Sequence, residues 1–310
     1  MTAANTHFGK VAVLMGGRSA ERSISLLGGK EVLAALQNQG VDAHKVDVDQ
    51  DIAEQLSQGK FDRAFVMLHG RGGEDGEIQG VLNSLAIPYT GSDVTGAVLS
   101  MNKALSKDIW QQLALPTASF CHVNKDSDPQ SVIDKLGLPL FVKPVNEGSS
   151  IGMTKVDRLD ALKTAIDVAL VYDEEVIAER WIDGEEYTVA VLGQTSLPVI
   201  RLKTPNDYYD FDAKYEATTT EYLCPAGLSA EDESHCRDLS LQAFEGLRMR
   251  DWGRIDLMRD QAGQFYLLEA NSIPGMTDHS LVPMAAKQAG LSFEQLVMKI
   301  LSSSLNKETH

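Results

Sequence analysis

The sequence predicts an α/β protein in which a doubly wound parallel sheet is followed by two α+β units. Two observations support this prediction. Strand-like apolar runs alternate with helical patterns over residues 10–90, as parallel strands joined by helices require. Beyond that region, short strands are separated by glycine-rich loops and a hairpin-like pair. With 310 residues, the chain is long enough to form two or three separate cores.

The first unit is predicted to span residues 1–94 and to hold three strands. We place these strands at residues 10–15, 43–48 and 64–68, with a helix over 19–39 after the first of them. Two glycine-rich segments, GGRS at 16–19 and HGRGGEDG at 69–76, directly follow strands. Ligands of such sheets lie beyond the carboxyl ends of the strands, so both segments are candidate binding loops.

The second unit, residues 95–183, is predicted to open with a helix over residues 103–113. Strands follow near 119–123, 140–143 and 176–180, with a helix over 157–170 between the last two. Residues 181–184 are interpreted as a hinge that leads to the third unit, residues 184–310.

The third unit is predicted to contain a strand at 186–192, a hairpin at 253–271 and a final helix at 292–301. Between residues 203 and 227 no clear helical or strand period is present, and four of the eight tyrosines lie there. Long loops in compact domains are usually lids or binding loops, and disordered insertions are poor in aromatic residues. We therefore predict that residues 203–227 form a lid.

The hairpin predicts a metal site. A turn centred on residues 262–263 places Asp256 opposite Glu269 and Arg254 opposite Asn271. Alternation along the second strand puts Leu267 on the same face as Glu269 and Asn271. Carboxylate and amide oxygens suit Mg²⁺, which usually completes its shell with substrate phosphates. The alternative is a surface hairpin with scattered charges, but its flanks are too apolar for a fully solvated strand pair.

Composition narrows the range of partners. The net charge is −16, which argues against nucleic acid or an anionic membrane as the main partner. Three cysteines without metal-type spacing indicate a reduced compartment, so we expect a cytoplasmic protein. The N-terminus shows no signal-peptide pattern, and no apolar run is long enough to span a bilayer.

The loop KPVNEGSSIG, residues 143–152, is a candidate phosphate loop. Glycines there would let backbone N–H groups approach phosphate oxygens, Ser149 and Ser150 add hydroxyl donors, and Lys143 adds charge. It lacks the Walker order of residues, and a plain glycine turn is the alternative. Lys103 is a second candidate cation, with a solvated helix lysine as its alternative.

The segment after the hairpin suits an oxyanion site. Gly275 follows a proline and permits a tight turn whose N–H, beside Arg254, would stabilise an oxyanion. Ser280 and the N–H groups after it could hold a carboxylate, or Ser280 could simply cap a helix. Neither a plausible covalent nucleophile nor a histidine metal cluster is present in the sequence. Phosphate, magnesium and oxyanion chemistry without a nucleophile suits ATP-driven activation of a carboxylate.

Several segments together resemble the D-alanine–D-alanine ligase family of the ATP-grasp superfamily over nearly the whole chain. They are GGRSAERSIS at 16–25, HGRGGEDG at 69–76, residues 143–152, YDFDAKY at 209–215, CPAG at 224–227, GRID at 253–256 and EANSIPGMT at 269–277. The resemblance implies a Rossmann-like N-terminal sheet and two α+β domains that grip ATP.

The resemblance implies a nucleotide site. Lys103 and Lys143 would contact the phosphates of ATP, with Ser149 and Ser150 in the loop above them. Glu179 would meet the adenine with backbone help from Trp181 and Ile182. Glu186 would bind the ribose. Asp256, Glu269 and Asn271 would hold two Mg²⁺ ions, with Mn²⁺ as an alternative, and Glu269 would bridge the two.

It also implies substrate and catalytic roles. Glu21 would bind the ammonium group of the first D-alanine, and His69 would lie near the reacting groups. Lys214 would contact the transferring phosphoryl group. Arg254 and the Gly275 N–H would stabilise the tetrahedral oxyanion.

The second substrate and the lid complete the implied site. Ser280 and the Leu281 N–H would take the carboxylate of the second D-alanine. Ser149 and Tyr215 would join Glu21 in a hydrogen-bonded link that closes the lid. No residue stands out as a base for the attacking amine.

The implied reaction is ligation of two D-alanine molecules through an acyl phosphate, for peptidoglycan precursors and cell shape. The resemblance also implies a homodimer. One rival is another ATP-grasp ligase with a different carboxylate, amine or hydroxyl substrate; Tyr215 favours an amine. A non-catalytic ATP-binding module would have lost a metal ligand or Arg254. A nicotinamide oxidoreductase would need Gly-x-Gly-x-x-Gly after the first strand, which is absent.

Overall fold

The computed structural model describes residues 8–48, 51–204 and 220–306. In this part of the chain the strands are β1 (Val11–Gly16), β2 (Ala43–Val48), β3 (Arg63–Val66), β4 (Phe120–Val123), β5 (Leu140–Pro144), β6 (Thr154–Val156), β7 (Val176–Arg180), β8 (Gly184–Leu192), β9 (Thr195–Ser196), β10 (Ile200–Lys203), β11 (Glu221–Leu223), β12 (Trp252–Asp260) and β13 (Phe265–Asn271). The helices described there are α1 (Arg22–Asn38), α2 (Ile52–Gly59), α3 (Glu77–Ser84), α4 (Val94–Met101), α5 (Lys103–Gln112), α6 (Pro129–Leu136), α7 (Leu162–Ala169), α8 (Ala230–Gly246), α9 (Leu281–Gln288) and α10 (Phe293–Ser303).

The N-terminal sheet is parallel, as predicted, with the order β2-β1-β3. Every residue of β1 is buried, which explains its uninterrupted apolar sequence. At the carboxyl ends of these strands the two predicted loops meet, because the Ser19 hydroxyl donates a 2.7 Å hydrogen bond to the His69 carbonyl. The N-terminal sheet therefore presents both candidate binding loops on one edge.

Two antiparallel sheets follow. The central sheet has the order β4-β7-β5-β6, and helices α6 and α7 cover its apolar face. The C-terminal sheet has the order β11-β10-β8-β12-β13, with β9 beside β8. Its core joins residues of β8, β12, β13 and α8. The α/β architecture predicted from the sequence is confirmed.

Packing crosses the predicted boundaries at residues 94 and 183, which remain predictions. Trp110 of α5 is fully buried in the C-terminal core and donates from Nε1 to the Ala243 carbonyl of α8 at 3.1 Å. Ala104 of the same helix packs instead against Val145 and Ile177 of the central unit. Helix α5 therefore packs against both the central unit and the C-terminal unit. Helices α9 and α10 pack into the core of the N-terminal sheet.

The base of the predicted lid is more ordered than its sequence indicated. Lys203 at the end of β10 pairs with Glu221 at the start of β11, so strands enter and leave this segment. Residues 205–219 lie outside the described part of the chain. Helices α3, α4, α6 and α8 and strands β6, β9 and β10 were not predicted from the sequence.

None of the helices in the described ranges is both long and apolar enough to cross a membrane.

Candidate active site

The hairpin of β12 and β13 has the predicted register. Asp256 pairs with Glu269, and Arg254 pairs with Asn271. A bulge follows Asp256, so that Leu257 lies opposite Leu267 rather than Leu268. The prediction that Leu267 shares the face of Glu269 is therefore wrong. Leu267 is fully buried in the C-terminal core, because the extra residue reverses the alternation of side chains, and Leu268 lines the site instead.

Asp256 is the most heavily bonded carboxylate of the site. Arg254 grips it through both oxygens, Nε to Oδ1 at 2.8 Å and Nη2 to Oδ2 at 2.7 Å. The Thr188 hydroxyl donates to Oδ1 at 2.6 Å, and the Asn271 amide donates to Oδ2 at 3.0 Å. The carboxylate is 7% exposed. These bonds fix both the oxygens of Asp256 and the guanidinium of Arg254.

The oxygen donors predicted for a metal converge here. Glu269 lies opposite Asp256 across the hairpin, and its Oε2 is 3.5 Å from the Lys103 ammonium. In residues 8–48, 51–204 and 220–306 there is no group of three His, Cys, Asp or Glu side chains arranged for a metal. The available ligands are instead the carboxylates of Asp256 and Glu269 and the amide of Asn271. Such oxygens match the preference of Mg²⁺ rather than of Zn²⁺.

A cavity of about 280 Å³ separates the central sheet from the C-terminal sheet. It collects the predicted metal ligand Glu269 and most of the residues predicted for the nucleotide: Lys103, Lys143, Ser150, Glu179, Trp181, Ile182 and Glu186. Phe141, Met258 and Leu268 add apolar walls, and the rings of Phe141 and Trp181 lie 5.0 Å apart. The cavity thus combines apolar surface for a flat ring with cations and carboxylates at its other surfaces.

Glu179 lies at the back of this cavity between two lysines. Its Oε1 is 3.2 Å from Lys107 Nζ, and its Oε2 is 2.6 Å from Lys143 Nζ. Oε2 is buried against this second lysine. Burial alone would raise the pKa of Glu179, but the ammonium groups of Lys107 and Lys143 outweigh burial and hold that pKa below its usual value. Glu179 therefore stays ionised.

The glycine-rich loop connects the cavity to the N-terminal unit. The Ser149 hydroxyl donates to Oε1 of Glu21 at 2.5 Å across 128 residues of sequence, so this part of the predicted link is present. Ser149 and Ser150 adopt φ values of 51° and 58°. Non-glycine residues rarely occupy this left-handed region, and such strain concentrates at functional loops. Lys103 Nζ donates to the Glu147 carbonyl at 2.6 Å and so supports the loop from below.

A second contact holds the same loop from the N-terminal side. Arg71 donates from Nε to Glu147 Oε1 at 2.7 Å, and its Nη2 lies 3.4 Å from Asp173. Asp173 in turn accepts a 2.7 Å bond from the Asn146 N–H. Arg71 of the N-terminal unit thereby holds Glu147 directly and Asn146 through Asp173.

His69 and Glu74 lie on the opposite side of Glu21. The His69 Nε2 is buried without a partner in the described part of the chain. Burial lowers the pKa of His69, and the nearby Glu21 carboxylate opposes this shift. Burial raises the pKa of Glu74 to about 7, and Glu21 adds to the rise. Glu74 accepts N–H bonds from Gly70 at 2.9 Å and Ile273 at 3.0 Å, and so ties the loop ahead of Gly275 to the N-terminal unit.

Ser280 is the N-cap residue of helix α9, but its side chain does not cap the helix. Its hydroxyl instead accepts the Thr277 N–H at 3.0 Å, and a Cβ on Gly275 would fall 3.0 Å from that hydroxyl. The first N–H groups of α9, including that of Leu281, therefore remain available to an anion.

Two predicted residues, Lys214 and Tyr215, lie outside the described part of the chain. Four residues that support the site had no role assigned from the sequence: Arg71, Glu74, Lys107 and Thr188. Arg71 and Glu74 stand within the HGRGGEDG motif, which was a usable signal. Thr188 faces Asp256 from β8, and only the register between the two strands places it there.

The chain is similar to known ligases over nearly its whole length. The family model described as D-ala D-ala ligase C-terminus matches residues 109–302, and the model described as D-ala D-ala ligase N-terminus matches residues 45–92. The D-alanine–D-alanine ligase of Nitrosococcus oceani is 54% identical over 300 residues, which cover 97% of this chain and 95% of the relative. That of Ectopseudomonas mendocina is 52% identical over 298 residues, covering 96% and 95%.

Solved structures agree with these relatives. The crystal structure of the D-alanine–D-alanine ligase from Bacillus anthracis complexed with ATP matches this fold with a TM-score of 0.85. The two chains are 30% identical, and the match covers 96% of this chain and 97% of the other.

The raised pKa of Glu74 predicts a pH-dependent stability. In the folded protein the pKa of Glu74 is about 7, whereas its ordinary value is 4.5. As the pH rises between these values, Glu74 ionises in the unfolded chain but not in the folded protein, so the free energy of unfolding falls. Glu74→Gln cannot ionise. We therefore expect the stability difference between Glu74→Gln and the unmodified protein to shift in favour of the variant by roughly 1–3 kcal/mol from pH 5 to pH 8.

Thermal or denaturant unfolding at both pH values measures this shift. Glu77→Gln, an exposed glutamate on the adjoining helix, is the matched control for loss of a carboxylate. Parallel pH profiles for Glu74→Gln and the unmodified protein would contradict the prediction.

Proposed function

We propose that this chain, which belongs to the D-alanine–D-alanine ligase family, joins two D-alanine molecules into D-alanyl-D-alanine at the expense of ATP. The observation that carries the proposal is the cavity between the central and C-terminal sheets, where lysines, carboxylates and aromatic walls meet beside Glu21. The ATP complex of the Bacillus anthracis relative supports ATP as the nucleotide.

The cavity offers each part of ATP a suitable surface. Phe141, Trp181 and Ile182 provide an apolar site for adenine, and the buried Oε2 of Glu179 suits its amino group. Glu186 lies where it could accept bonds from the ribose hydroxyls. At the phosphate end, Lys103 and Lys143 supply charge, and the loop with Ser149 and Ser150 supplies donors.

The oxygen donors fit magnesium. Asp256, Glu269 and Asn271 would hold two Mg²⁺ ions, or Mn²⁺ in their place. Bound metal would neutralise charge on the phosphates and polarise the phosphoryl group under attack. Arg254 now occupies both oxygens of Asp256, so metal and guanidinium compete for this carboxylate.

The substrates would bind on either side of the phosphate end. Glu21 would pair with the ammonium of the first D-alanine, near His69. The N-terminus of α9, with Ser280 and Leu281, would hold the carboxylate of the second. Because α9 packs into the core of the N-terminal sheet, both substrates would be held on one packed body that faces the phosphate end of the cavity.

The reaction needs two displacements. A carboxylate oxygen of the first D-alanine attacks the γ-phosphorus of ATP, and ADP leaves. The amine of the second D-alanine then attacks the acyl carbon and loses a proton, and the tetrahedral intermediate expels inorganic phosphate. Arg254 and the Gly275 N–H would stabilise the oxyanion of that intermediate, and Lys214 would contact the transferring phosphoryl group. The lid with Tyr215 would exclude water, which hydrolyses acyl phosphates.

Wider consequences belong to the same proposal. The dipeptide would serve peptidoglycan precursor synthesis and thereby cell shape, in the cytoplasm. We propose a homodimer, with neither nucleic acid nor membrane as a partner. The net charge of −16 supports the exclusion of nucleic acid and of an anionic membrane.

Phosphate release tests the activity. We expect release from ATP and Mg²⁺ to depend on D-alanine and to produce D-alanyl-D-alanine in equal amount, because each dipeptide consumes one ATP. L-Alanine and D-lactate are the controls for the configuration and for the attacking amine. Release that is independent of D-alanine, or stronger with a control compound, would overturn the proposal.

The metal assignment predicts a severe defect in Glu269→Gln. A neutral amide offers one oxygen and no charge, so it cannot replace a bridging carboxylate. We expect kcat to fall roughly a hundredfold or more and the Mg²⁺ concentration for half-maximal activity to rise, with unchanged circular dichroism. Near-normal activity at the original Mg²⁺ requirement would contradict the assignment.

The oxyanion assignment predicts that Arg254→Met lowers kcat more than it weakens ATP binding. A donor used mainly as charge develops is worth about 2.7–4 kcal/mol in other enzymes, or roughly 100–1000-fold in kcat. Steady-state kinetics and ATP titration separate the two effects. Arg254→Lys, which keeps a charge beside Asp256 but lacks the fork, is the matched control. Loss of ATP affinity at constant kcat would make Arg254 a phosphate ligand.

A further inference from the structure

A buried lysine lies behind the nucleotide cavity, and none of the roles above uses it. Lys107 on α5 has 0% of its side chain exposed. A buried ammonium destabilises a protein strongly unless neighbouring groups compensate its charge. Its Nζ lies 3.2 Å from Glu179 Oε1 and donates to the Thr117 hydroxyl at 2.8 Å. The lysine is therefore built into an ion pair with a residue of the cavity wall.

Glu179 divides its two oxygens between two lysines. Oε1 faces Lys107 behind the wall, and Oε2 lies 2.6 Å from Lys143, which lines the cavity together with Glu179. Because Oε1 is committed to Lys107, the carboxylate cannot rotate freely about its terminal torsion. Oε2 is thereby held in the cavity wall against Lys143.

The charges of this cluster favour an anion only when Lys107 is counted. Lys143 and Glu179 alone would cancel, and a close ion pair would draw the Lys143 ammonium away from a phosphate. With Lys107, the cluster carries one net positive charge.

The same ammonium is linked to the C-terminal sheet. The Thr117 hydroxyl that accepts from Lys107 donates to the Leu267 carbonyl at 2.8 Å. Leu267 lies at the bulge of β13, two residues before Glu269. A chain of bonds therefore runs from the glutamate of the central sheet to the strand that carries the proposed metal ligand.

We infer that Lys107 is a positioning residue of the nucleotide site, which fixes Glu179 toward the base and offsets its charge so that Lys143 can act on the phosphates. This inference rests on the proposed function for the identity of the nucleotide as ATP. A purely structural lysine would instead affect folding stability and leave the affinity of the folded protein for nucleotide unchanged.

Lys107→Met removes the charge and keeps most of the volume. We expect the Kd for the non-hydrolysable imido analogue of ATP with Mg²⁺, measured by calorimetry without D-alanine, to rise roughly tenfold. The KM for ATP should rise in parallel, with kcat and the KM for D-alanine within about twofold. Thr117→Val is the matched control, because it breaks the same buried chain and leaves all ion pairs intact. Its Kd should stay within about twofold of the unmodified value.

A double-mutant cycle shows whether Lys107 acts through Glu179. In the Glu179→Gln background there is no carboxylate to position, so Lys107→Met should then change the Kd by less than about twofold. If Lys107→Met does not fold alone, Lys107→Gln and the neutral pair Lys107→Met/Glu179→Gln supply the comparison. Equal effects of Lys107→Met in both backgrounds, an unchanged Kd, or an equal effect of Thr117→Val would overturn the inference.

Failure of the wider proposal would be distinguishable. Absence of D-alanine-dependent phosphate release from the unmodified protein would refute the ligase activity, whereas the binding cycle depends only on the nucleotide.

Discussion

Backbone pairing of β12 on both of its edges is the constraint from which the site follows. All nine residues of this strand pair with β8 on one side, and β13 pairs with it on the other. Asp256 is therefore placed opposite Thr188 and opposite Glu269 at once. Ile255 and Leu257, its neighbours in the strand, are fully buried in the core beneath. A slip of one residue would turn them toward the cavity and turn the carboxylate into the apolar core, so the apolar core specifies the register and the register specifies the donors.

Contacts from the N-terminal unit complete the site through polar pairs. Glu21 reaches Ser149, Arg71 reaches Glu147, and Glu74 reaches the backbone of Ile273. The Arg71 side chain is 51% exposed, and exposed ion pairs of this kind are individually weak, at about 0–1 kcal/mol. The polar junction between the N-terminal and central units therefore opens more readily than the apolar core that joins the N-terminal unit to the C-terminal sheet. Such a junction suits a ligase that must admit two substrates and then exclude water.

The sequence predicted what depends on local periodicity. The parallel sheet, the register of the hairpin and the position of the glycine-rich loop after β5 all followed from alternation and glycine placement. The bulge after Asp256 could not be predicted that way, because alternation assumes an unbroken ladder, and Leu267 was assigned to the wrong face. The burial of Lys107 was also beyond reach, since a helical lysine is expected in solvent unless its distant partner is known. The pairing of Glu21 with Ser149, across 128 residues, came only from the family resemblance.

The charges of the site form matched pairs in the described structure. Lys103 lies beside Glu269, and Arg254 grips Asp256. On the proposed function, each cation serves a phosphate or an oxyanion, and each carboxylate serves a metal. A phosphate bound alone would draw the lysine away and leave a carboxylate without its partner in a half-buried site. A metal bound alone would draw a carboxylate away and leave a cation without its partner. When nucleotide and metal bind together, the phosphates pair with the cations and the metal pairs with the carboxylates, so neither kind of charge is left uncompensated. On the proposed function, the pairing of charges across the site thus gives a physical reason for ATP and Mg²⁺ to bind as a unit.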